Sequence, residues 1–130
     1  MSPPEPISVE DLYDIHDQVI NSPDGAASGV RDAGALEAAV ARPQGSFAGI
    51  EFHPTPFARA AAIMESVIQR HPFVDGNKRT GLLAAVFLLY QEGYTLEASQ
   101  REQADLAVNI ADHVLDVGNL SEWFEKHSRR

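Results

Sequence analysis

The stretch TPFARAAAIMESVIQRHPFVDGNKRTGLLAAVFLLYQEG, residues 55–93, joins two apolar segments through a polar decapeptide. Thr55 followed by Pro56 predicts a helix start, because Thr caps the N–H groups of a first turn and Pro suits the first helical position. Apolar residues then recur at helical spacing. The proline after His71 disfavours helical backbone at that histidine, so we expect the helix to end near Arg70.

The second segment, TGLLAAVFLLYQEG, is apolar nearly all round. Its Leu, Ala and Phe content favours a helix over a strand, and an apolar surface on every side is typical of a buried helix. We therefore predict a central helix from about Asn77 to Gly93, where a glycine can end it.

Four further helices are predicted from capping residues that precede apolar residues at helical spacing. Their predicted starts are Ser8, Asp32, Ser99 and Asn119. Residues 21–29 are predicted to form a loop, residues 44–54 a loop or a small hairpin, and residues 1–7 a frayed end. The expected fold is a single all-α domain over residues 1–130, a compact bundle of about six helices around the buried central helix.

The composition excludes several classes of protein. A chain of 130 residues suits one domain with a real core. The absence of cysteine excludes a disulfide scaffold and a zinc–thiolate site, and it fits a reducing compartment. A net charge of -9 disfavours nucleic-acid binding. The N-terminal region lacks the features of a signal peptide, and the longest apolar run, residues 82–90, is about half of what spans a bilayer.

The decapeptide HPFVDGNKRT, residues 71–80, has the composition of an anion site. A helix start offers unpaired N–H groups and a partial positive charge. Gly76 can adopt positive φ and let the backbone approach a ligand closely. Lys78 and Arg79 in the first helical turn are electrostatically unfavourable unless an anion is held there. We therefore predict that the decapeptide binds phosphate.

Two more residues of the decapeptide complete the groups needed for phosphoryl or nucleotidyl transfer. Asp75 offers a hard carboxylate oxygen, the kind of ligand that holds Mg²⁺ beside substrate phosphates. His71 is a candidate general base, because an imidazole can take up a proton near neutral pH. The alternative is structural: Pro, Asp, Gly and Asn also serve turns alone, and Lys and Arg can form a solvated face.

The decapeptide also fits a family signature. It resembles the signature loop of the Fic/Doc family, His-x-Phe-x-(Asp/Glu/Asn)-(Gly/Ala)-Asn-(Gly/Lys)-Arg, and fills every defined position. The preceding segment RDAGALEAAVARPQ and the apolar helices on both sides of the loop resemble the Doc-type branch over most of the chain. The resemblance implies the all-helical fold of that family, with ATP as substrate.

The resemblance implies a role for each residue of the loop. His71 corresponds to the base that deprotonates a target hydroxyl, and Asp75 to the ligand of Mg²⁺. Phe73 corresponds to the buried anchor of the loop. Residues 45–53 fall where the family has a flap that aligns the target polypeptide. The anion-hole and phosphate-binding positions correspond to Gly76, Asn77, Lys78 and Arg79.

Two departures from the adenylyl-transferring members of the family bear on the reaction. Lys78 stands where those members carry Gly, so a side chain and a charge fill space beside the phosphates. The second Arg of those members is also missing, since Gly81-Leu82-Leu83-Ala84 follows. Lys78 is the Doc-type residue, so we expect transfer of the γ-phosphate of ATP to a Ser or Thr hydroxyl of a protein. Adenylyl transfer and a non-catalytic nucleotide- or antitoxin-binding module are the alternatives.

The resemblance also implies a partner. The family's inhibitory signature, (Ser/Thr)-x-x-x-Glu-(Gly/Asn), is approached only by Ser121 to Glu125, which Lys126 follows. These residues are therefore expected to belong to an ordinary amphipathic helix, and a separate Phd-like antitoxin is expected to restrain the site. The chain would then be the toxin of a toxin–antitoxin pair in the bacterial cytoplasm. By family analogy its target is a protein of the translation machinery, such as an elongation factor.

Other polar residues are assigned smaller roles. Glu65 and Arg70 border the decapeptide, and each is expected either to orient His71 or to be exposed. His53 is interpreted as a polar residue of the possible flap, with contact to the target or the nucleotide as the alternative. The remaining histidines are predicted to lie on helices as surface or satisfied groups: His16, His113 and His127.

Overall fold

The computed structural model describes residues 5–21 and 28–130, and within them the chain is predominantly helical, as predicted. The α-helices are α1 (Val9–Ile20), α2 (Ala33–Ala41), α3 (Pro56–Arg70), α4 (Asn77–Gln91), α5 (Gln100–Ala111) and α6 (Val117–His127). A short 3-10 helix, Arg42–Gln44, follows α2. The strands are β1 (Ser46–Phe47), β2 (Ile50–Glu51), β3 (Thr95–Leu96) and β4 (Ser128–Arg129).

The helix starts follow from side chains that accept first-turn N–H groups. Four predicted caps are confirmed: Ser8, Asp32, Thr55 and Ser99. The predicted start of the last helix at Asn119 is wrong. Asp116 caps α6 by accepting from the N–H of Asn119 at 2.8 Å, so the helix begins at Val117. Both residue types suit an N-cap, and the earlier one is used.

Helices α3 and α4 form the centre of the bundle. The α3–α4 contact is close because Gly81 lies on it: a Cβ at that position would stand 3.1 Å from the carbonyl oxygen of Met64 and 3.1 Å from Ile68 Cγ1. The two helices separate two buried apolar clusters. One cluster joins them to α5 and α6 through residues that include Met64, Ile68, Leu89, Ile110 and Phe124. The other joins them to α1 and α2 through residues that include Leu12, Leu36, Val67, Phe73 and Ala84.

Burial of α4 is less uniform than an apolar helix suggests. The residues of α4 that belong to the two apolar clusters are buried, whereas Tyr90 of the same helix is 75% exposed. Lys78 and Arg79 at the first turn are exposed as well. The first turn of the central helix is therefore divided: Asn77 and Thr80 are buried, whereas Lys78 and Arg79 are exposed.

Two small antiparallel pairs of strands complete the fold. The open choice between loop and hairpin for residues 44–54 is decided as a hairpin, with Ser46 opposite Glu51 and Phe47 opposite Ile50. Ala48 and Gly49 form its turn, both with positive φ. Strands β3 and β4 also pair, which the sequence did not predict.

Two predictions concern the N-terminal residues and the first loop: the first is partly wrong, and the second lies mostly outside the described residues. Ile7 is only 3% exposed and joins the cluster around α1, so the predicted fraying of residues 1–7 is wrong at that residue. Residues 1–4 lie outside the described residues, as does most of the predicted loop 21–29. Among the helices of the described ranges, none is long and apolar enough to cross a membrane.

Candidate functional site

The decapeptide bridges the end of α3 and the start of α4. As predicted, α3 ends at Arg70, and the N–H of His71 makes the last bond of the helix, to the oxygen of Val67 at 3.2 Å. The backbone of His71 is left-handed, with φ 49° and ψ 61°, rather than extended. Such a conformation costs about 1–3 kcal/mol in a residue with a side chain, and the surrounding structure must hold it.

Residues 29–32 hold the first half of the decapeptide. The N–H of Arg31 donates to the oxygen of Pro72 at 2.8 Å, and the N–H of Val74 donates to the oxygen of Gly29 at 3.0 Å. The side chain of Arg31 adds two bonds, from Nε to the oxygen of His71 and from Nη2 to that of Arg70, both 2.6 Å. Arg31 therefore satisfies carbonyls at the C-terminus of α3 and supports the left-handed His71.

Asn77 closes the loop from inside. Its Oδ1 accepts from the N–H of Phe73 at 3.0 Å, and its Nδ2 donates to the oxygen of Phe73 at 2.9 Å. Phe73 itself is 1% exposed, which agrees with its expected role as anchor. Because one Nδ2 hydrogen of Asn77 is engaged by Phe73, the donors that Asn77 can still offer to an anion are its second Nδ2 hydrogen and its backbone N–H.

His16 contacts the loop from α1. Its ring is 3% exposed, stacks on the ring of Phe73 with centroids 3.9 Å apart, and lies with Nε2 2.9 Å from the oxygen of Asp75. The sequence predicted a surface or satisfied histidine, and the second description is confirmed. What the sequence missed is that its partner belongs to the decapeptide.

The N-terminus of α4 differs from the starts of the other five described α-helices, which have side-chain caps. Its N-cap is Gly76, with φ 78°, which has no side chain to accept the N–H groups of the first turn. The N–H of Gly76 points to Asp75 Oδ1 at 2.8 Å. The N–H groups of the first turn have no side-chain cap, and such groups together with the partial positive charge of a helix N-terminus are the arrangement that binds phosphate.

The charged residues of the decapeptide are exposed around this turn: His71, Asp75, Lys78 and Arg79. Within residues 5–21 and 28–130, the imidazole of His71 and the ammonium group of Lys78 make no hydrogen bond or ion pair. Both side chains can therefore turn towards a ligand without breaking a hydrogen bond or an ion pair in the described part of the chain.

Asp75 fits one mode of magnesium binding. The described residues contain no group of three or more His, Cys, Asp and Glu side chains arranged to hold a metal ion. An exposed carboxylate beside a bound phosphate would need no such group, because Mg²⁺ is commonly held by one or two carboxylates together with substrate phosphates.

A second polar cluster lies beside α3. Arg42 donates to Glu65 Oε1 at 2.8 Å and to the hydroxyl of Ser66 at 3.0 Å. Burial, and next the positive charge of Arg42, lower the pKa of His53, while Glu65 acts in the opposite direction. Glu65 is thus held by Arg42, and of the two residues expected to border the site, Arg70 is the exposed one.

The hairpin presents apolar side chains to solvent. Phe47, Ile50 and Phe52 are 74%, 70% and 61% exposed.

The two remaining histidines lie away from the decapeptide in sequence. His127 lies in α6 with Nδ1 2.8 Å from the oxygen of Trp123, while His113 follows α5 in a turn with φ 60°. The prediction of a helical His113 is therefore wrong.

Comparison with known proteins agrees with the geometry of the loop. The family model described as Fic/DOC matches residues 6–89, which contain α1, α2, α3, the hairpin, the decapeptide and nearly all of α4. The chain belongs to the Fic/Doc family. The matched region includes each loop residue described above, together with His16 and Arg31, which hold the loop from outside the signature.

Two Fic/Doc relatives resemble the chain beyond the loop. A protein of Mycolicibacterium smegmatis named "Toxin Doc" is 45% identical over 94 residues, or 71% of this chain and 72% of the relative. A protein of Escherichia phage P1 named "Protein kinase doc" is 34% identical over 120 residues, or 92% of this chain and 93% of the relative. The second alignment extends the similarity towards α5 and α6.

Proposed function

We propose that this protein is a Doc-like toxin that transfers the γ-phosphate of ATP to a Ser or Thr hydroxyl of another protein. The observation that carries the proposal is the N-terminus of α4, where a left-handed Gly76 leaves first-turn N–H groups uncapped beside an exposed Lys78. The name of the phage relative, "Protein kinase doc", supports the same reaction in a protein that aligns with 92% of this chain.

In the proposed reaction the chain contributes positioning and charge. The N–H groups at the start of α4, with Lys78 and Arg79, hold phosphate oxygens and offset their negative charge. His71 accepts the proton of the target hydroxyl as the hydroxyl oxygen bonds to the γ-phosphorus and ADP leaves. Mg²⁺, held by Asp75 and the phosphates, would add charge neutralisation. Arg31 and Asn77 keep the loop in the shape that brings these groups together.

Lys78 and Leu82 favour phosphoryl transfer over adenylyl transfer within this family. Lys78 fills space and adds charge at the second residue of α4, and Leu82 is partly buried against the apolar cluster of α5 and α6. An apolar side chain packed in that cluster offers no ligand to a phosphate. This chain therefore has a cation in the first turn and no second cation further along α4. The adenylyl-transferring pattern instead has a glycine in the first turn, which leaves space, and a second Arg further along the helix.

The proposal includes two protein partners in the bacterial cytoplasm. One is a Phd-like antitoxin that covers the exposed loop, and the other is a target of the translation machinery, such as an elongation factor. The exposed Phe47, Ile50 and Phe52 of the hairpin offer an apolar surface for a polypeptide near the end of α2.

The experiment offers ATP labelled on either the α or the γ phosphorus to the purified protein with a bacterial lysate and Mg²⁺. Label on a protein band from γ-labelled ATP alone, and its loss in His71→Ala, are the expected results. Label from α-labelled ATP would replace the proposal with adenylyl transfer. Label from neither, with ATP binding retained, would indicate a non-catalytic binding module.

The variant His71→Ala tests the base. Unchanged labelling by a folded His71→Ala variant would remove His71 from the mechanism, and His113→Ala serves as the matched control at an exposed histidine.

A further inference from the structure

We propose that His16 is a positioning residue that sets the direction of the Gly76 N–H at the phosphate site. His16 lies on α1, 59 residues before its partner Asp75. Its ring is 3% exposed and contacts Phe73 and the carbonyl oxygen of Asp75, so it acts through the decapeptide. Its effect on transfer rests on the proposed function, whereas its effect on the loop does not.

The hydrogen bond defines which nitrogen of His16 carries a hydrogen. The partner is the carbonyl oxygen of Asp75, which can only accept, so Nε2 must be the donor at 2.9 Å. The ring is 3% exposed and is nearly parallel to the ring of Phe73, with an interplanar angle of 5°. Phe73 is itself held by Asn77 through two hydrogen bonds. The imidazole of His16 is therefore a donor of fixed direction, because the Phe73 ring that it packs on is itself held in place.

The direction of one carbonyl determines the direction of the next N–H. The peptide between Asp75 and Gly76 is planar and trans, so its C=O and N–H point to opposite sides. His16 draws the oxygen of Asp75 towards α1, and the N–H of Gly76 consequently points away from α1, towards Asp75 Oδ1 at 2.8 Å. A rotated peptide would break the bond from the Gly76 N–H to Asp75 Oδ1 and turn the carbonyl oxygen of Asp75 to the side that the N–H now faces, where it would repel a bound phosphate.

Gly76 makes such a rotation possible in the absence of His16. With no Cβ, glycine adopts positive and negative φ with similar ease, and its observed φ is 78°. The glycine thus gives the backbone freedom at the proposed anion site. The hydrogen bond from His16 excludes the orientation in which the peptide between Asp75 and Gly76 is rotated. This is a specific reason for a buried imidazole to pack on the anchor of the loop.

Two substitutions separate the hydrogen bond from the packing. His16→Phe keeps an aromatic ring against Phe73 and removes the donor, whereas His16→Gln keeps a donor near the position of Nε2 and removes the ring. We expect His16→Phe to lower the rate of transfer about 10- to 100-fold with a melting temperature close to that of the natural protein. We expect His16→Gln to lose melting temperature yet keep most of the rate. If the two variants lose activity in proportion to their loss of stability, His16 is a packing residue and the proposal is wrong.

The second measurement is independent of the reaction. In an amide ¹H–¹⁵N spectrum of the whole protein without nucleotide, nine glycines give few enough glycine signals to assign Gly76. The Gly76 amide should shift in His16→Phe and stay close to its natural position in His16→Gln. An unmoved Gly76 signal in His16→Phe overturns the proposal. If the natural protein labels no target from ATP, the proposed function is wrong, but the role of His16 is still tested, because the Gly76 signal does not depend on the reaction.

Discussion

Arg31 holds the backbone of His71 from 40 residues earlier in the chain, with Nε 2.6 Å from the carbonyl oxygen. The same guanidinium reaches the oxygen of Arg70, again at 2.6 Å. The candidate base therefore owes its left-handed backbone to a residue of another segment. Since the charge of Arg31 is directed at carbonyl groups, its contribution is to the conformation of the loop.

Replacing Arg31 by Ala should reduce transfer more than it reduces folding. Without the two side-chain bonds, His71 can relax from its left-handed conformation, and misplacement of a base lowers kcat. We expect kcat to fall about tenfold or more, with a smaller change in the KM for ATP. Steady-state labelling of the target measures both constants. Arg101→Ala removes a positive charge from an exposed site on α5 and should leave both unchanged; equal effects of the two substitutions would contradict the role of Arg31.

Replacing Asn77 by Ala should destabilise the fold. The substitution leaves the N–H and C=O of a buried Phe73 without the amide that pairs with both. Each unsatisfied buried group costs about 1–3 kcal/mol, so the free energy of unfolding should fall by about 2–6 kcal/mol. Urea denaturation followed by circular dichroism measures it. Asn119→Ala, in the exposed first turn of α6, is the control and should change little; a similar small loss at Asn77 would show that the loop does not need the amide.

Replacing Lys78 by Gly tests the residue on which the choice of reaction depends. Loss of the side chain removes a charge and opens space at the first turn of α4, so labelling from γ-labelled ATP should fall at least tenfold. If space alone selects the phosphorus that reacts, label from α-labelled ATP should appear. Lys126→Gly in α6 has a comparable helix cost and should preserve γ-labelling. Undiminished γ-labelling by Lys78→Gly would exclude Lys78 from phosphate binding.

His53 should make the fold less stable on the acid side. Burial and the charge of Arg42 hold the pKa of His53 below its ordinary value, so the unfolded chain takes up this proton first as pH falls. The resulting loss of stability begins near the unfolded-state pKa of about 6.5 and is complete below the folded-state pKa. His53→Asn should therefore lose less unfolding free energy between pH 7.5 and pH 5 than the natural protein. His113→Asn is the control; a pH slope at His53→Asn equal to that of the natural protein would contradict this assignment.

Local signals in the sequence predicted the helices well. Thr55 and Pro56 define the start of α3, and the proline after His71 defines its end, because caps and prolines act on backbone groups within a few residues. The last helix was misplaced because Asp116 and Asn119 both satisfy the rules for a cap. The pair β3–β4 was missed, since strands of two residues carry no usable alternation and their pairing joins segments far apart in the chain.

The composition and order of the decapeptide were enough to indicate the Fic/Doc family, which the family match confirms, while the anion site and the general base stay predictions. They could not indicate that the amide of Asn77 is used to close the loop on Phe73, since a signature records which residue is present and not which partner it binds.

What the sequence determined by itself was local: where helices begin and end, which segments are apolar, and which ten residues carry the candidate chemistry. What the tertiary structure decided was the support of those ten residues by His16 and Arg31. The physical reason is distance along the chain. Caps and turns depend on neighbouring residues, whereas a hydrogen bond to a carbonyl about 40 or more residues away exists only after α1 and the segment before α2 have packed against α3 and α4.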